Sequence, residues 1–365
     1  MATPLYPPDI GGPATYAAFL GQELPQKGIF LEVVSFGSVR LFPNGLRHFL
    51  YFLKVLVKGF RADVIYALDP VSVGFPALLA SQILGKKFFI KIVGDYAWEQ
   101  GVSRYGVKEN LDEFLERENY PRAVRRWRKI QRFVANSAER IIVPSNYLKG
   151  VVTKWKIDPE KISVVYNALS SRVGIPSREE IRRELNLSGK IIMSAGRLVK
   201  WKGFSEIMDA VSELSKEFPD IRLLIAGDGP EREALSNKIK DFHLEDRVVM
   251  LGQIPQEELL HYIRASNCFV LNSTYEGFSH QLLEVASVGT PIIATDVGGN
   301  TEFIRSGVNG ILIKPHQVEE MVLALRKILV DSGVAEKFSS EARLNVENQF
   351  GKDRVIDNLL KILQA

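Results

Sequence analysis

The sequence predicts an α/β protein of two domains, each built on a parallel sheet, and three observations carry the prediction. Short Val/Ile/Leu-rich runs alternate with longer helical patterns along the whole chain. Most of these runs are apolar throughout, without the alternation of a half-exposed strand, as expected for strands covered on both faces. The 365 residues exceed one ordinary hydrophobic core. They suit two domains of roughly 150–190 residues.

The first domain is expected over residues 1–170 and the second over 171–350, with a final helix at about 351–365. A Rossmann-like domain opens with a strand and then a glycine-rich turn. Only Met1–Leu5 precede Gly11 and Gly12, so the first strand is expected to be truncated almost to nothing. The next strands are expected at Phe30–Phe36, Asp63–Ala67, Lys87–Val93, Arg140–Pro144 and Ile162–Tyr166. The segment Asn167–Ser177, NALSSRVGIPS, is small, polar and contains Gly and Pro, which marks the interdomain linker. Strands of the second domain are expected at Lys190–Ala195, Ile221–Ala226, Arg247–Leu251, Asn267–Leu271, Pro291–Thr295 and Gly310–Ile313. Helical segments lie between them, and Asp353–Leu363 reads as an amphipathic helix.

Composition narrows the class. Apolar residues make up 46% and charged residues 25%, the values of a globular protein. The longest apolar run, Pro70–Leu84, is too short to span a bilayer and holds Gly74 and Pro76. No basic flank followed by an apolar core opens the chain, so no secretion signal is expected. The single cysteine, Cys268, excludes an intramolecular disulfide and reads as a buried strand thiol. These features lead to the expectation of a cytoplasmic protein.

The net charge of +4 is unevenly spread: residues 1–172 carry 24 Lys and Arg against 15 Asp and Glu, and the remainder carries 23 against 28. A basic front half and an acidic back half suggest domains facing different partners. Arg47, Lys54, Lys58 and Arg61 recur at helical intervals beside Phe49, Leu50, Leu53 and Leu56. Arg122, Arg125, Lys129 and Arg132 form a second basic stripe, with Ala123, Trp127, Ile130 and Val134 on another face. Such helices either rest on an anionic membrane, placing the protein peripherally at the inner face, or pack their apolar side on the core and leave the cations in water. Nucleic-acid binding is not expected, because no recognition motif accompanies the charge.

Two segments carry candidate chemistry. Gly196-Arg197-Leu198-Val199-Lys200-Trp201-Lys202-Gly203 joins an apolar strand to a helix, the place where open α/β sheets hold ligands. Arg197 is able to fork two phosphate oxygens and Lys202 adds a second cation, although both also read as surface residues of a polar loop. In Thr274–Glu284 a polar loop holds Glu276, a helix starts near Ser279, and Glu284 follows eight residues after Glu276. Gly277 permits close backbone approach, and the amides of Phe278 and Ser279 at the helix start favour a negative group. The bland alternative is a capping glutamate and a solvated one. His48, His243, His261, His280 and His316 lack i, i+4 ligand spacing, and no Asp-x-Asp pair is present, so no metal is expected.

Together GRLVKWKG, GDGPERE, YEGFSHQLLE and GTPIIATDVGGNTEFI, in this order, resemble the C-terminal domain of family 4 retaining glycosyltransferases. The N-terminal YPPDIGGPATYAAFLGQEL, VPSNYLKG and VVYNAL are similar to the same family, so the resemblance covers almost the whole chain. It implies the GT-B fold, with two Rossmann-like domains facing across a cleft that holds the active site, and domain closure completing that site. It implies transfer of a hexose from a nucleoside-diphosphate sugar to an acceptor hydroxyl on a glycan or a lipid-linked acceptor. Retention, no metal and no cofactor beyond the donor follow from the same resemblance. By this resemblance Glu276 faces the donor sugar and Glu284 holds the ribose. Arg197 and Lys202, beside Gly196, bind the diphosphate; Gly277, Phe278 and Ser279 approach sugar and phosphate. Gly11 and Gly12 border the phosphate and acceptor region. Gly227–Pro230 is similar to a family loop at the edge of the nucleotide site, and its turn glycines read as mainly structural. Many members carry His-Asp after the strand read here as Lys87–Val93. Here Asp95 fills the acidic position with no histidine before it, so Asp95 either orients the acceptor or caps a helix. Two other readings share these residues: a sugar-nucleotide epimerase, marked by interconversion of donor sugars, and a non-catalytic sugar-nucleotide or glycan-binding protein, marked by binding without turnover.

Overall fold

The apolar runs become strands, and those inside each sheet are paired on both edges and largely buried, so their lack of alternation costs nothing. A computed structural model describes residues 1–9, 11–43, 45–169 and 174–364. In chain order the first part holds β1 (Ala2–Thr3), α1 (Gly12–Gln26), β2 (Val34–Ser35), α2 (Leu46–Gly59), β3 (Val64–Ala67), α3 (Gly74–Leu84) and β4 (Lys87–Lys91). Then come α4 (Tyr96–Tyr105), α5 (Leu111–Glu116), α6 (Arg122–Ser137), β5 (Arg140–Val143), α7 (Asn146–Lys154) and β6 (Ile162–Val164). The second part holds α8 (Arg178–Glu184), β7 (Lys190–Ala195), α9 (Phe204–Leu214), β8 (Ile221–Ala226), α10 (Arg232–Asp241), β9 (Val248–Gly252) and α11 (Gln256–Ala265). It continues with β10 (Cys268–Leu271), α12 (His280–Val288), β11 (Ile292–Thr295), α13 (Asn300–Phe303), β12 (Ile311–Ile313), α14 (Val318–Val330), α15 (Ser332–Gln349) and α16 (Lys352–Leu363).

The chain divides into two compact units, Met1–Ser170 with Lys352–Ala365, and Ser171–Gly351. Within the segment read as a linker, Ser170, Ser171, Arg172 and Val173 lie outside the described residues.

The first unit has a parallel sheet in the order β2-β1-β3-β4-β5-β6. The first strand, expected to be nearly absent, is present as two residues, with Ala2 paired to both Val34 and Ala67. The strand expected over Phe30–Phe36 shrinks to Val34–Ser35, which lies at the sheet edge and pairs only with the two-residue β1. Ser35 then accepts the Gly37 amide and starts a 3-10 turn at Phe36–Val39. In the core of this unit Tyr16, Leu20 and Leu24 of α1 meet Val355, Ile356 and Leu359 of α16.

The second unit has a parallel sheet in the order β12-β11-β10-β7-β8-β9. Ile207, Val211 and Leu214 of α9 and Leu325 and Ile328 of α14 cover it through Ile192, Leu223 and Ile225. Cys268 is fully buried in β10, and that burial pushes its thiol pKa up. Among the described residues no helix is long and apolar enough to cross a membrane.

Candidate active site

In each sheet the chain moves outward in opposite directions from two adjacent strands, and loops at the carboxyl ends of such strands form a crevice. In the second unit these strands are β7 and β10, which are hydrogen-bond neighbours. The loop after β7 carries Gly196, Arg197 and Lys202, and the loop after β10 carries Glu276, Gly277, Phe278 and Ser279.

The two loops are fastened together. The Thr274 amide donates to the Trp201 carbonyl at 2.8 Å, and Asn272 Nδ2 donates to the Gly203 carbonyl at 3.0 Å. Gly203 stands at φ +61°, and a Cβ there would fall 2.4 Å from the Asn272 oxygen, so only glycine fits. Lys202 Nζ contacts Glu276 Oε1 directly, and Ser273 Oγ donates to the same oxygen at 2.6 Å. The side chains of Lys202 and Glu276 keep 17% and 12% of their surface, enough to reach a ligand while water is largely excluded. Gly196 lies against the Lys202 stem, its Cβ position 3.7 Å from Cε. Arg197 is exposed on the same loop, with no ion pair among the described residues.

The remaining candidates hold the loop in place or line the helix behind it. The Gly299 amide donates to the Glu276 carbonyl at 3.0 Å, and a Cβ on Gly299 would sit 2.3 Å from the Gly277 carbonyl oxygen. The Phe278 ring packs on Phe350 at 5.4 Å between centroids, which anchors the loop from inside. Ser279 is the N-cap of α12, and its hydroxyl does not cap the first turn. Glu284 is buried on α12 and accepts from Gln256 Nε2 at 2.7 Å.

The glycine turn at Gly227–Pro230 braces this loop. The Leu198 amide donates to the Asp228 carbonyl and the Glu231 amide to the Leu198 carbonyl, both at 3.0 Å. A Cβ on Gly227 would meet the Gly196 carbonyl oxygen at 1.9 Å. The structural reading of that turn therefore has a specific cause.

Residues 177–345 match the model described as glycosyl transferases group 1, and residues 10–171 match the model described as glycosyltransferase family 4. The chain belongs to the family 4 glycosyltransferases. A relative, 2-deoxystreptamine N-acetyl-D-glucosaminyltransferase of Niallia circulans, is 31% identical over 54% of this chain and 51% of its own length. The chain thus spans about half the length of that curated relative. N-acetyl-alpha-D-glucosaminyl L-malate synthase of Bacillus anthracis is 24% identical over 96% of this chain and 92% of its own. The Anabaena protein HepE, solved in complex with UDP-glucose, superposes with a TM-score of 0.73 at 20% identity, covering 94% of this chain and 88% of HepE. The fold is GT-B.

In this family 4 glycosyltransferase, the first unit places Gly11 and Gly12 after β1, beside the sheet's own reversal between β1 and β3. Gly11 takes φ +138° as the N-cap of α1, and Gly12 and Pro13 start the helix. Of the two roles left open for Asp95, the geometry shows the cap. Asp95 is fully buried and accepts from the Trp98 amide at 2.9 Å, the N-cap bond of α4. Its other oxygen accepts from Gln131 Nε2 and Trp155 Nε1, both at 3.0 Å. Burial raises its pKa against the pull of these donors. Both oxygens are thus engaged, and the side chain has no exposed surface.

Sequence reasoning missed Ser273 and Gln256, the partners of Glu276 and Glu284. The only signal for Ser273 was its place three residues before Glu276. Gln256 had none, because it opens a helix 28 positions from the glutamate it meets.

Proposed function

We propose that the second unit binds a nucleoside-diphosphate hexose and that the enzyme transfers the hexose to an acceptor hydroxyl, retaining the anomeric configuration. The reading rests on the Lys202–Glu276 contact at the β7/β10 junction, with Gly196 against the lysine stem. A diphosphate calls for cations and a helix N-terminus, and Lys202, Arg197 and the start of α12 supply both. Sugar hydroxyls call for carboxylates: Glu276 is assigned to the hexose and Glu284, oriented by Gln256, to the ribose. Gly277, Phe278 and Ser279 give the backbone that approaches sugar and phosphate.

The chemistry follows from where charge develops. As the anomeric C–O bond breaks, its electron pair leaves with the diphosphate. Lys202, Arg197 and the helix end stabilise that charge, at about 3 kcal/mol per well-placed donor. Glu276 steadies the sugar ring as positive charge builds on it. The acceptor oxygen attacks from the face the phosphate leaves, and its proton passes to the departing phosphate oxygen. No further base enters. Side-chain cations compensate the phosphate charge in this scheme, so it runs without a metal or an added cofactor. The first unit selects the acceptor, a glycan or a lipid-linked one, with the Gly11–Gly12 loop bordering it.

Thermal-shift titration with UDP-, GDP- and ADP-sugars identifies the donor. With that donor, Glu276→Ala is expected to slow transfer by about 100-fold or more. Its Kd for the nucleoside diphosphate is expected to change less than about fivefold, since about 1 kcal/mol separates a lost neighbour from a lost phosphate ligand. Unchanged transfer by this variant removes the assignment.

A further inference from the structure

Helix α2 has two apolar faces, and only one of them is buried. Tyr51, Val55 and Gly59, four residues apart, face the core. Leu46, Phe49, Leu53 and Val57 recur every three or four residues on the opposite side and are exposed, Phe49 at 56% and Val57 at 75%. Phe60, just past the helix, continues the stripe at 72% exposure. The loop leading into the helix adds Leu41, 99% exposed, and Phe42. Val39, Phe42, Leu50, Leu53 and Val57 line one open apolar groove.

A row of cations flanks this stripe. Arg47, Lys54 and Lys58 fall between the exposed and buried faces of α2, Arg61 follows its end, and the helix contains no acidic residue. Lys58 pairs with Glu32 at 2.7 Å and Lys54 donates to Ser38 Oγ at 2.9 Å. Among the described residues, no ion pair to a carboxylate is found for Arg47, Lys54 or Arg61.

We infer that this face is a docking surface for an anionic lipid bilayer, with Leu41, Phe42, Phe49, Leu53 and Val57 entering the acyl boundary and the cation row lying at the phosphate level. The combination of a Phe/Leu stripe with a flanking Lys/Arg row is what an interfacial helix needs. Charge decides against a second copy of the chain. A two-fold contact through the stripe would set two cation rows side by side with no acid in α2 to offset them. The inference stands on the first unit alone and does not depend on the donor chemistry.

The test is flotation of the full chain with phosphatidylcholine vesicles, with and without phosphatidylglycerol, at low and high salt. Binding is expected only to the anionic vesicles and is expected to weaken with salt. The double variant Phe49→Ser with Leu53→Ser is expected to bind about tenfold more weakly or worse. Lys54→Glu with Arg61→Glu is expected to lose about fivefold per position. Both pairs lie on the surface, and unchanged thermal melts verify that they fold. Equal flotation with neutral and anionic vesicles, no flotation, or variants that float like the parent overturns the inference. So does a concentration-dependent dimer that the serine variant abolishes, since it assigns the stripe to a second copy.

Discussion

Lys91 ends β4 with no exposed surface; its Nζ donates to Asn167 Oδ1 at 3.0 Å and lies 3.4 Å from the centre of the Tyr16 ring. Burial holds its pKa well below the ordinary lysine value. The unfolded chain therefore binds more protons than the folded one between that lowered pKa and about 10.4, the unperturbed value. Stability from this group is present above the unfolded pKa and is lost as pH falls through the folded one. Lys91→Met removes the term, so its unfolding midpoint is expected to rise less than the parent's between about pH 7 and pH 10. Urea titrations of both proteins across that range check it, and parallel curves would assign the lysine no linked proton. Nothing in the sequence marked Lys91, because a lysine closing a strand reads as a surface residue until the helix above it is placed. Asp95 was legible as an acid at a helix start, but Gln131 and Trp155, which occupy its second oxygen, come from 36 and 60 positions away.

Among the elements, the loops of the second unit depend on backbones that approach too closely for a side chain. Gly227→Ala would drive Cβ onto the Gly196 carbonyl and force an L-residue to φ +135°. A loss of about 2–4 kcal/mol is expected, with weakened donor binding because the Gly196 loop must move. Gly150 in α7 is the control: a Cβ there meets nothing within 4 Å, and its φ is not positive. Gly150→Ala is expected to gain about 0.5–1 kcal/mol. Denaturant melts of the two variants distinguish close approach from helix entropy. Both glycines were visible in the sequence, yet only the bracing contacts separate them. Strand positions were legible because a run of Val, Ile and Leu needs cover on both faces wherever it lies. The first strand was legible as a truncated one, but which two residues form it depends on pairing with β2 and β3 rather than on its own composition.

At the scale of the whole molecule, the chain's last helix belongs with its first unit. Val355, Ile356 and Leu359 of α16 join the core made by α1, while Lys27 pairs with Asp357 at 3.0 Å and Lys352 with Glu23 at 3.2 Å. Three buried aliphatic side chains are worth about 5 kcal/mol or more. The surface ion pairs add little. Ending the chain at Gly351 is expected to destabilise residues 1–170 and leave the protection of 174–350 unchanged. Hydrogen exchange read separately on the two units checks this, and uniform loss of protection would contradict it.

The sequence by itself determined most strand positions of the two sheets, the family, and the residues that carry charge at the β7/β10 junction. These are local properties: apolar runs, turn glycines and the order of short motifs. Only the tertiary structure decided which partners hold Glu276 and Glu284, that Asp95 is spent on a cap, and that α2 turns one of its two apolar faces outward. Helical periodicity shows that α2 is apolar at two angles but cannot tell which angle meets a neighbour, because burial is set by residues far away in the chain.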